Sequence, residues 1–103
     1  MKNIIISGPP NTGKTTIANA IAATHKTILK TNYRELMDDL ECGIDWDWLL
    51  FHSLILVEEC TPENILELAP KFLIIPMVFV TLHQIDSESK DYKDFMVIKL
   101  PKL

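Results

Sequence analysis

The stretch GPPNTGKT, residues 8–15, follows a short apolar run and precedes a run of small residues. It matches the pattern G-x-x-x-x-G-K-[ST], in which backbone N–H groups surround phosphate oxygens at the start of a helix. Gly8 and Gly13 allow backbone angles and a close approach that a Cβ would block. The stretch therefore predicts a phosphate-binding loop between a strand and a helix.

The polar residues of this loop have predicted contacts with a nucleotide. We expect Lys14 to neutralise the β- and γ-phosphates and the Thr15 hydroxyl to bind Mg²⁺. Pro9 and Pro10 have no N–H group, so they stiffen the loop instead of binding. The predicted nucleotide-binding residues are Gly8, Asn11, Thr12, Gly13, Lys14, Thr15 and Thr16.

Strand-like and helix-like segments alternate along the chain, which predicts a parallel sheet with helices on both faces. The expected fold class is α/β: a three-layer αβα sandwich of the P-loop NTPase type, with a mainly parallel sheet of about five strands. One domain, residues 1–103, is expected at this length. The predicted strands are residues 2–7, 26–30, 53–59, 77–82 and 94–100, the last at a sheet edge, and residues 84–94 form a polar loop.

Three helices are predicted, and two of them have clear start signals. The first follows the phosphate loop and runs to about Thr24. The second spans residues 33–41, with Asn32 as N-cap and Gly43 just past its end, and the third starts with Thr61 as N-cap and Pro62 at the first position. Residues 45–52 carry no pattern that assigns them.

Composition and charge exclude several classes of protein. The formal charge is −4 and the basic residues are scattered, with Arg34 as the only arginine, so direct nucleic-acid binding has little support. Cys42 and Cys60 lack the spacing of a zinc site and predict reduced thiols, in a cytoplasmic or nuclear protein. The apolar run 72–80 is interrupted by Pro76 and is far shorter than the about 20 residues that span a bilayer, so no membrane insertion is expected.

Two adjacent carboxylates, Glu58 and Glu59, follow the apolar run Leu54–Val57 in the predicted strand 53–59. In a parallel sheet this end of the strand opens on the same crevice as the phosphate loop. Hydrolysis needs a carboxylate near Mg²⁺ and a group that orients or deprotonates the attacking water. Because adjacent strand residues point to opposite faces, we assign Glu58 to Mg²⁺ and Glu59 to the water, and the reverse assignment stays open.

Other polar and aromatic residues are weaker candidates. Thr81 and His83, at the end of strand 77–82, could contact the γ-phosphate or the water if that strand lies between the first and third strands. Trp46 and Trp48 could stack on a base, although neighbouring tryptophans in a small domain favour packing or an interface.

Together these motifs resemble those of the superfamily 3 helicases, the AAA+-type replication ATPases of parvoviruses and papillomaviruses. GPPNTGKT, then TIANAIA, LILVEEC and a strand ending in VTLH, resembles their succession of motifs A, B and C, across roughly residues 1–84. The resemblance implies that Glu58 and Glu59 serve metal and water. In that family motif C ends in an asparagine that acts as a sensor, and the resemblance implies that this position falls on His83. His83 would then be catalytic together with Lys14 and Glu59.

The chain also departs from this family. Between Glu59 and His83, where the family has a basic DNA-binding hairpin, there is a single lysine, Lys71. No arginine follows His83, so the arginine that a neighbouring subunit normally supplies is missing. The resemblance thus implies a minimal relative, or an ATP-binding subunit completed by a homo-oligomer or a partner protein that supplies an arginine.

The sequence as a whole predicts a protein that binds ATP, in preference to GTP, and hydrolyses it slowly with Mg²⁺. One alternative is a small-molecule P-loop kinase, although such kinases usually close an arginine-bearing lid over the phosphoryl group and this chain offers only Arg34. The other is a regulatory or interaction module that binds nucleotide without hydrolysing it.

Overall fold

The computed structural model describes residues 3–9, 13–72, 75–82, 85 and 88–100 of the chain. Its strands are β1 (Asn3–Ser7), β2 (Ile28–Asn32), β3 (Leu54–Cys60), β4 (Met77–Thr81) and β5 (Phe95–Lys99). They form one sheet in the order β2-β3-β4-β1-β5, and every neighbouring pair is parallel. The predicted α/β fold is confirmed, and β5 is an edge strand as expected.

The helices agree with the predicted ones except in two segments. The stretch 45–52, unassigned from the sequence, contains a five-residue helix, and the polar loop contains a short 3₁₀ turn. None of the helices in the described ranges is long and apolar enough to cross a bilayer. The helices are α1 (Lys14–Ala22), α2 (Tyr33–Cys42), α3 (Trp46–Leu50) and α4 (Pro62–Leu68), with 3₁₀ turns at Ala69–Lys71 and Lys90–Tyr92.

Strand β2 lies two residues later than the predicted segment 26–30. Its register explains the difference, because Ile28 pairs with Leu54, the first residue of the buried run in β3. The preceding Thr27 is held by Ser53: the Thr27 carbonyl accepts from the Ser53 N–H at 2.7 Å and from its hydroxyl at 3.0 Å. Pairing with the neighbouring strand, which local sequence does not reveal, sets where β2 begins.

Two helix starts follow directly from capping side chains. The Asn32 side chain accepts from the Glu35 N–H at 2.9 Å, and α2 begins immediately after β2. Thr61 and Asn64 form a capping box, in which each side chain accepts from the other's backbone N–H at 3.2 and 3.0 Å. Both predicted N-caps are confirmed, and α2 and α4 therefore begin at the carboxyl edge of the sheet.

The sheet separates two apolar cores, as a three-layer sandwich requires. Alternate residues of β3 enter different cores, with Ile55 and Val57 in one and Leu54 and Leu56 in the other. Both faces of β3 are thereby buried, as its continuous apolar run predicts. On one face α1 contributes Ala18 and Ala22, and on the other α2, α3 and α4 contribute Leu36, Leu49, Ile65 and Leu68.

Candidate nucleotide-binding site

A cavity of about 490 Å³ lies at the carboxyl ends of β3 and β4, against the first turn of α1. Strand β4 lies between β3 and β1, which is the arrangement that the predicted crevice needs. Carboxyl ends of parallel strands are where α/β folds bind their ligands. The lining residues are Lys14, Thr15, Glu58, Glu59, Val80, Thr81 and Leu82.

The Lys14 ammonium group joins the two sides of this cavity. Its Nζ donates to the Gly8 carbonyl oxygen at 2.7 Å and to the Thr81 carbonyl oxygen at 2.8 Å. Burial lowers the pKa of Lys14 from its ordinary value of 10.5. Since both acceptors are neutral, these contacts orient the positive charge without cancelling it.

The phosphate loop enters α1 through Gly13, which has a left-handed backbone with φ of 86°. Among the described residues, nothing lies within 4 Å of a Cβ built at this position. The need for glycine here thus comes from the backbone angle, since an L side chain adopts it only with strain. Thr15 and Thr16 follow in the exposed first turn of α1, and Asn11 and Thr12 lie outside the described residues.

The two acidic residues lie at a bulge in β3. From Val57 to Cys60 this strand advances three residues while β4 advances two, and Glu59 has a positive φ of 55°. Glu58 is half-buried and Glu59 is exposed, yet both line the 490 Å³ cavity. The alternation expected of a regular strand does not hold here, because the extra residue interrupts it.

Of the two candidate residues at the end of the predicted strand 77–82, Thr81 is described by the structure and His83 is not. Thr81 is buried, and its hydroxyl donates to the Ile6 carbonyl oxygen at 3.3 Å, so its side chain links β4 to β1. It is the Thr81 carbonyl group, not the hydroxyl, that contacts Lys14. His83 lies outside the described residues, so its sensor role stays a prediction.

Arg34 is a residue near the site that the motifs did not indicate. It lines a neighbouring cavity of about 320 Å³ with Glu59, Asn32, Tyr33 and Asn64. This follows from β2 pairing with β3, because Arg34 lies just beyond the carboxyl end of β2. Its position two residues after the predicted helix cap Asn32 is the one sequence signal that pointed to this edge of the sheet.

The residues present fit a magnesium ion only in combination with phosphates. In the described part of the chain, no three histidine, cysteine or acidic residues lie close enough to hold a metal by themselves. The cavity instead offers the Thr15 hydroxyl and the Glu58 and Glu59 carboxylates. One or two protein oxygens plus phosphate oxygens and waters is the coordination that Mg²⁺ commonly adopts with nucleotides.

Comparison with known families identifies this arrangement. The model of the AAA family, the ATPase family associated with various cellular activities, matches residues 4–75. The chain belongs to the AAA family. The match includes the phosphate loop and the Glu58–Glu59 pair and ends before β4, and the AAA assignment makes this an ATP-binding domain. A comparison with curated proteins found no match.

Proposed function

We propose that this AAA domain is a Mg²⁺-dependent ATPase of low intrinsic turnover that works in the cavity between α1 and the ends of β3 and β4. The observation that carries the proposal is that Lys14, Thr15, Glu58 and Glu59 line one cavity. The first two residues suit phosphate binding, and the carboxylates suit metal and water. These are the groups that phosphoryl transfer to water requires.

Binding is assigned to the loop and the first turn of α1. We assign phosphate binding to the N–H groups from Asn11 to Thr16, because N–H groups at a helix N-terminus attract an anion. Lys14 exchanges its carbonyl acceptors for β- and γ-phosphate oxygens, because hydrogen bonds between two charged groups are the stronger ones. Gly13 provides the left-handed turn that leads from the loop into α1.

Catalysis is assigned to the acidic pair and to the sensor position. The Thr15 hydroxyl and Glu58 hold Mg²⁺, which supplies neutralisation of charge on the phosphates. Glu59 orients and deprotonates the attacking water, and His83 contacts the γ-phosphate or that water. The exposure of Glu59 supports its assignment to the attacking water, since a base acting on water needs access to solvent.

Low turnover is proposed because no arginine is among the described residues that line the cavity. Arg34 lines the neighbouring 320 Å³ cavity instead. An arginine that stabilises charge on the transferred phosphoryl group raises turnover by roughly 10³- to 10⁵-fold in enzymes of this type. We therefore infer that a second copy or a partner protein supplies this arginine.

The superfamily 3 helicase type is a finer proposal that rests on the sequence alone. Its support is the form GPPNTGK and the run Glu58-Glu59-Cys60. The acidic overall charge and the single lysine between Glu59 and His83 argue against DNA translocation by this chain alone. Turnover that rises on addition of single-stranded DNA would support the helicase type.

The test is a titration with ATP and GTP, with product analysis, of wild type and two variants. Lys14→Ala is expected to lose nucleotide affinity, and Glu59→Gln to keep affinity and lose turnover by about 10²- to 10⁴-fold. Lys26→Ala and Glu63→Gln, which change exposed residues outside the cavity, are the matched controls. Equal binding by wild type and Lys14→Ala would contradict the proposal.

The same experiment separates the two alternatives. Transfer of the γ-phosphoryl group to an added small-molecule acceptor, in place of release of phosphate, would indicate a kinase. Tight binding of ATP with no turnover, in wild type and Glu59→Gln alike, would indicate a nucleotide-dependent regulatory module.

A further inference from the structure

Helix α3 is a short helix that leaves most of its apolar side chains in solvent. Its Leu49 is buried, but Trp46 and Trp48 are 45% and 48% exposed and the following Phe51 is 72% exposed. Isolated exposed apolar residues are common, whereas a contiguous group of large ones marks an interaction surface. Of the large apolar side chains that are exposed in the described ranges, four lie within six positions: Trp46, Trp48, Leu50 and Phe51.

The segment that carries this aromatic surface is strongly acidic. Residues 35–51 contain six of the fourteen acidic residues of the chain and no lysine or arginine. All six are exposed. They are Glu35, Asp38, Asp39, Glu41, Asp45 and Asp47.

A small cavity brings the aromatic and acidic groups together. It has a volume of about 160 Å³ and is lined by Asp39, Gly43, Ile44, Asp45 and Trp48. Gly43, with φ of 95°, makes the turn between α2 and α3 that places Asp39 near Asp45. Two carboxylates beside an indole ring attract a cation both by charge and by the negative face of the ring.

The rings of the surface are held in place by neighbours. Trp48 and Phe51 pack edge-on against His52, with ring centroids 4.8 and 5.9 Å from it. The Trp46 ring lies beside the buried Phe72 ring, with the two ring centroids 6.1 Å apart. Side chains that are already ordered lose less conformational entropy on binding, which favours recognition by this surface.

We propose that this surface, formed by Trp46, Trp48, Leu50 and Phe51 with Asp39 and Asp45, docks a basic segment of a partner protein. The partner segment presents a lysine or arginine next to apolar side chains. Its cation enters the 160 Å³ cavity between the two carboxylates and Trp48, and its apolar side chains cover Leu50 and Phe51. Charge complementarity selects this occupant, since the six carboxylates repel nucleic acid and acidic surfaces.

The proposal does not depend on ATP hydrolysis, because none of these residues lines the 490 Å³ cavity. Trp46 and Trp48 are the two tryptophans of the chain, so the intrinsic fluorescence reports on this surface directly. The probe is a short synthetic peptide that alternates arginine with leucine. Its counterparts replace arginine by glutamate or by glutamine.

Titration with the arginine–leucine peptide is expected to change the tryptophan emission saturably, with binding that weakens as salt rises. The double variant Asp39→Asn/Asp45→Asn is expected to raise the Kd by about fivefold to tenfold. Asp45 is the N-cap of α3, where its side chain accepts from the Trp48 N–H, and asparagine keeps that role. Phe51→Ser is expected to weaken binding as well. Matched controls elsewhere are Asp91→Asn for charge and the 54% exposed Met96→Ser for apolar surface, with circular dichroism to verify folding.

Several results would overturn the proposal. They are an unchanged Kd in the double variant, an equal response to the glutamate or glutamine peptide, and no response to the arginine peptide. Sedimentation that shows self-association, abolished by Phe51→Ser, would mean that a second copy covers the surface and would also overturn it. Loss of ATP binding in Lys14→Ala with normal peptide binding would leave it supported.

Discussion

The Lys14 Nζ lies 2.8 Å from the Thr81 carbonyl oxygen, although the two residues are 67 positions apart in the chain. The same ammonium group donates to the Gly8 carbonyl oxygen. One side chain of the phosphate loop thereby connects that loop to the end of β4. The contact exists because β4 pairs with β1, the strand that leads into the loop.

Replacement of Lys14 tests this connection in the absence of nucleotide. Lys14→Ala removes two partly buried hydrogen bonds and is expected to lower the free energy of unfolding by about 1–2 kcal/mol. ATP should no longer raise its thermal midpoint, because the phosphate contact is lost. Thermal denaturation with and without ATP measures both effects, and Lys26→Ala, an exposed lysine, should stay within about 0.5 kcal/mol of wild type.

The left-handed backbone at Glu59 predicts a stabilising substitution that abolishes activity. A side chain in this conformation costs about 1–2 kcal/mol, so Glu59→Gly should raise the free energy of unfolding by about 0.5–1 kcal/mol while turnover is lost. Glu58→Gly, at a position without positive φ, should lower it by about 0.5–1 kcal/mol. Denaturant unfolding compares the two, and a Glu59→Gly protein less stable than Glu58→Gly would argue against stored strain.

Cys60 predicts a loss of stability at high pH. Burial raises the pKa of its thiol from 9.0 to about 12. The unfolded thiol ionises first as pH rises, so the Cys60 contribution is complete below pH 9.0 and is lost progressively between pH 9.0 and about 12. Denaturant unfolding across this window should show a shallower loss in Cys60→Ala than in wild type.

Cys42 provides the control for this prediction, since it is exposed. Cys42→Ala should keep the wild-type dependence on pH. A thiol reagent should label Cys42 in the native protein and Cys60 only after unfolding. Equal labelling of both in the native state would show that Cys60 is accessible.

The capping box at the start of α4 predicts a local loss of stability. Thr61→Ala removes the oxygen that accepts from the Asn64 N–H and should cost about 1 kcal/mol. Thr61→Ser keeps the oxygen and should cost less. Denaturant unfolding of the two variants gives the comparison, and equal losses would show that the methyl group of Thr61, and not the hydrogen bond, stabilises the helix.

Local signals in the sequence were sufficient for most elements of the fold. The phosphate loop, the buried run Leu54–Val57 and the caps Asn32 and Thr61 depend on residues close together in the chain, so their patterns were readable. The start of β2 and the existence of α3 were not readable. The first depends on pairing with β3, and the second is a five-residue helix too short for a periodic pattern.

The features of the candidate site likewise divide into those set by neighbouring residues and those set by contacts between distant segments. The sequence by itself determined that a phosphate-binding loop precedes a helix and that two carboxylates end a buried strand, because each depends on a few consecutive residues. Only the tertiary structure decided that Lys14 contacts Thr81, that a bulge brings Glu58 and Glu59 to one cavity, and that the tryptophans of α3 face solvent. Strand order, bulges and surface exposure arise from contacts between distant segments, and no local pattern encodes them.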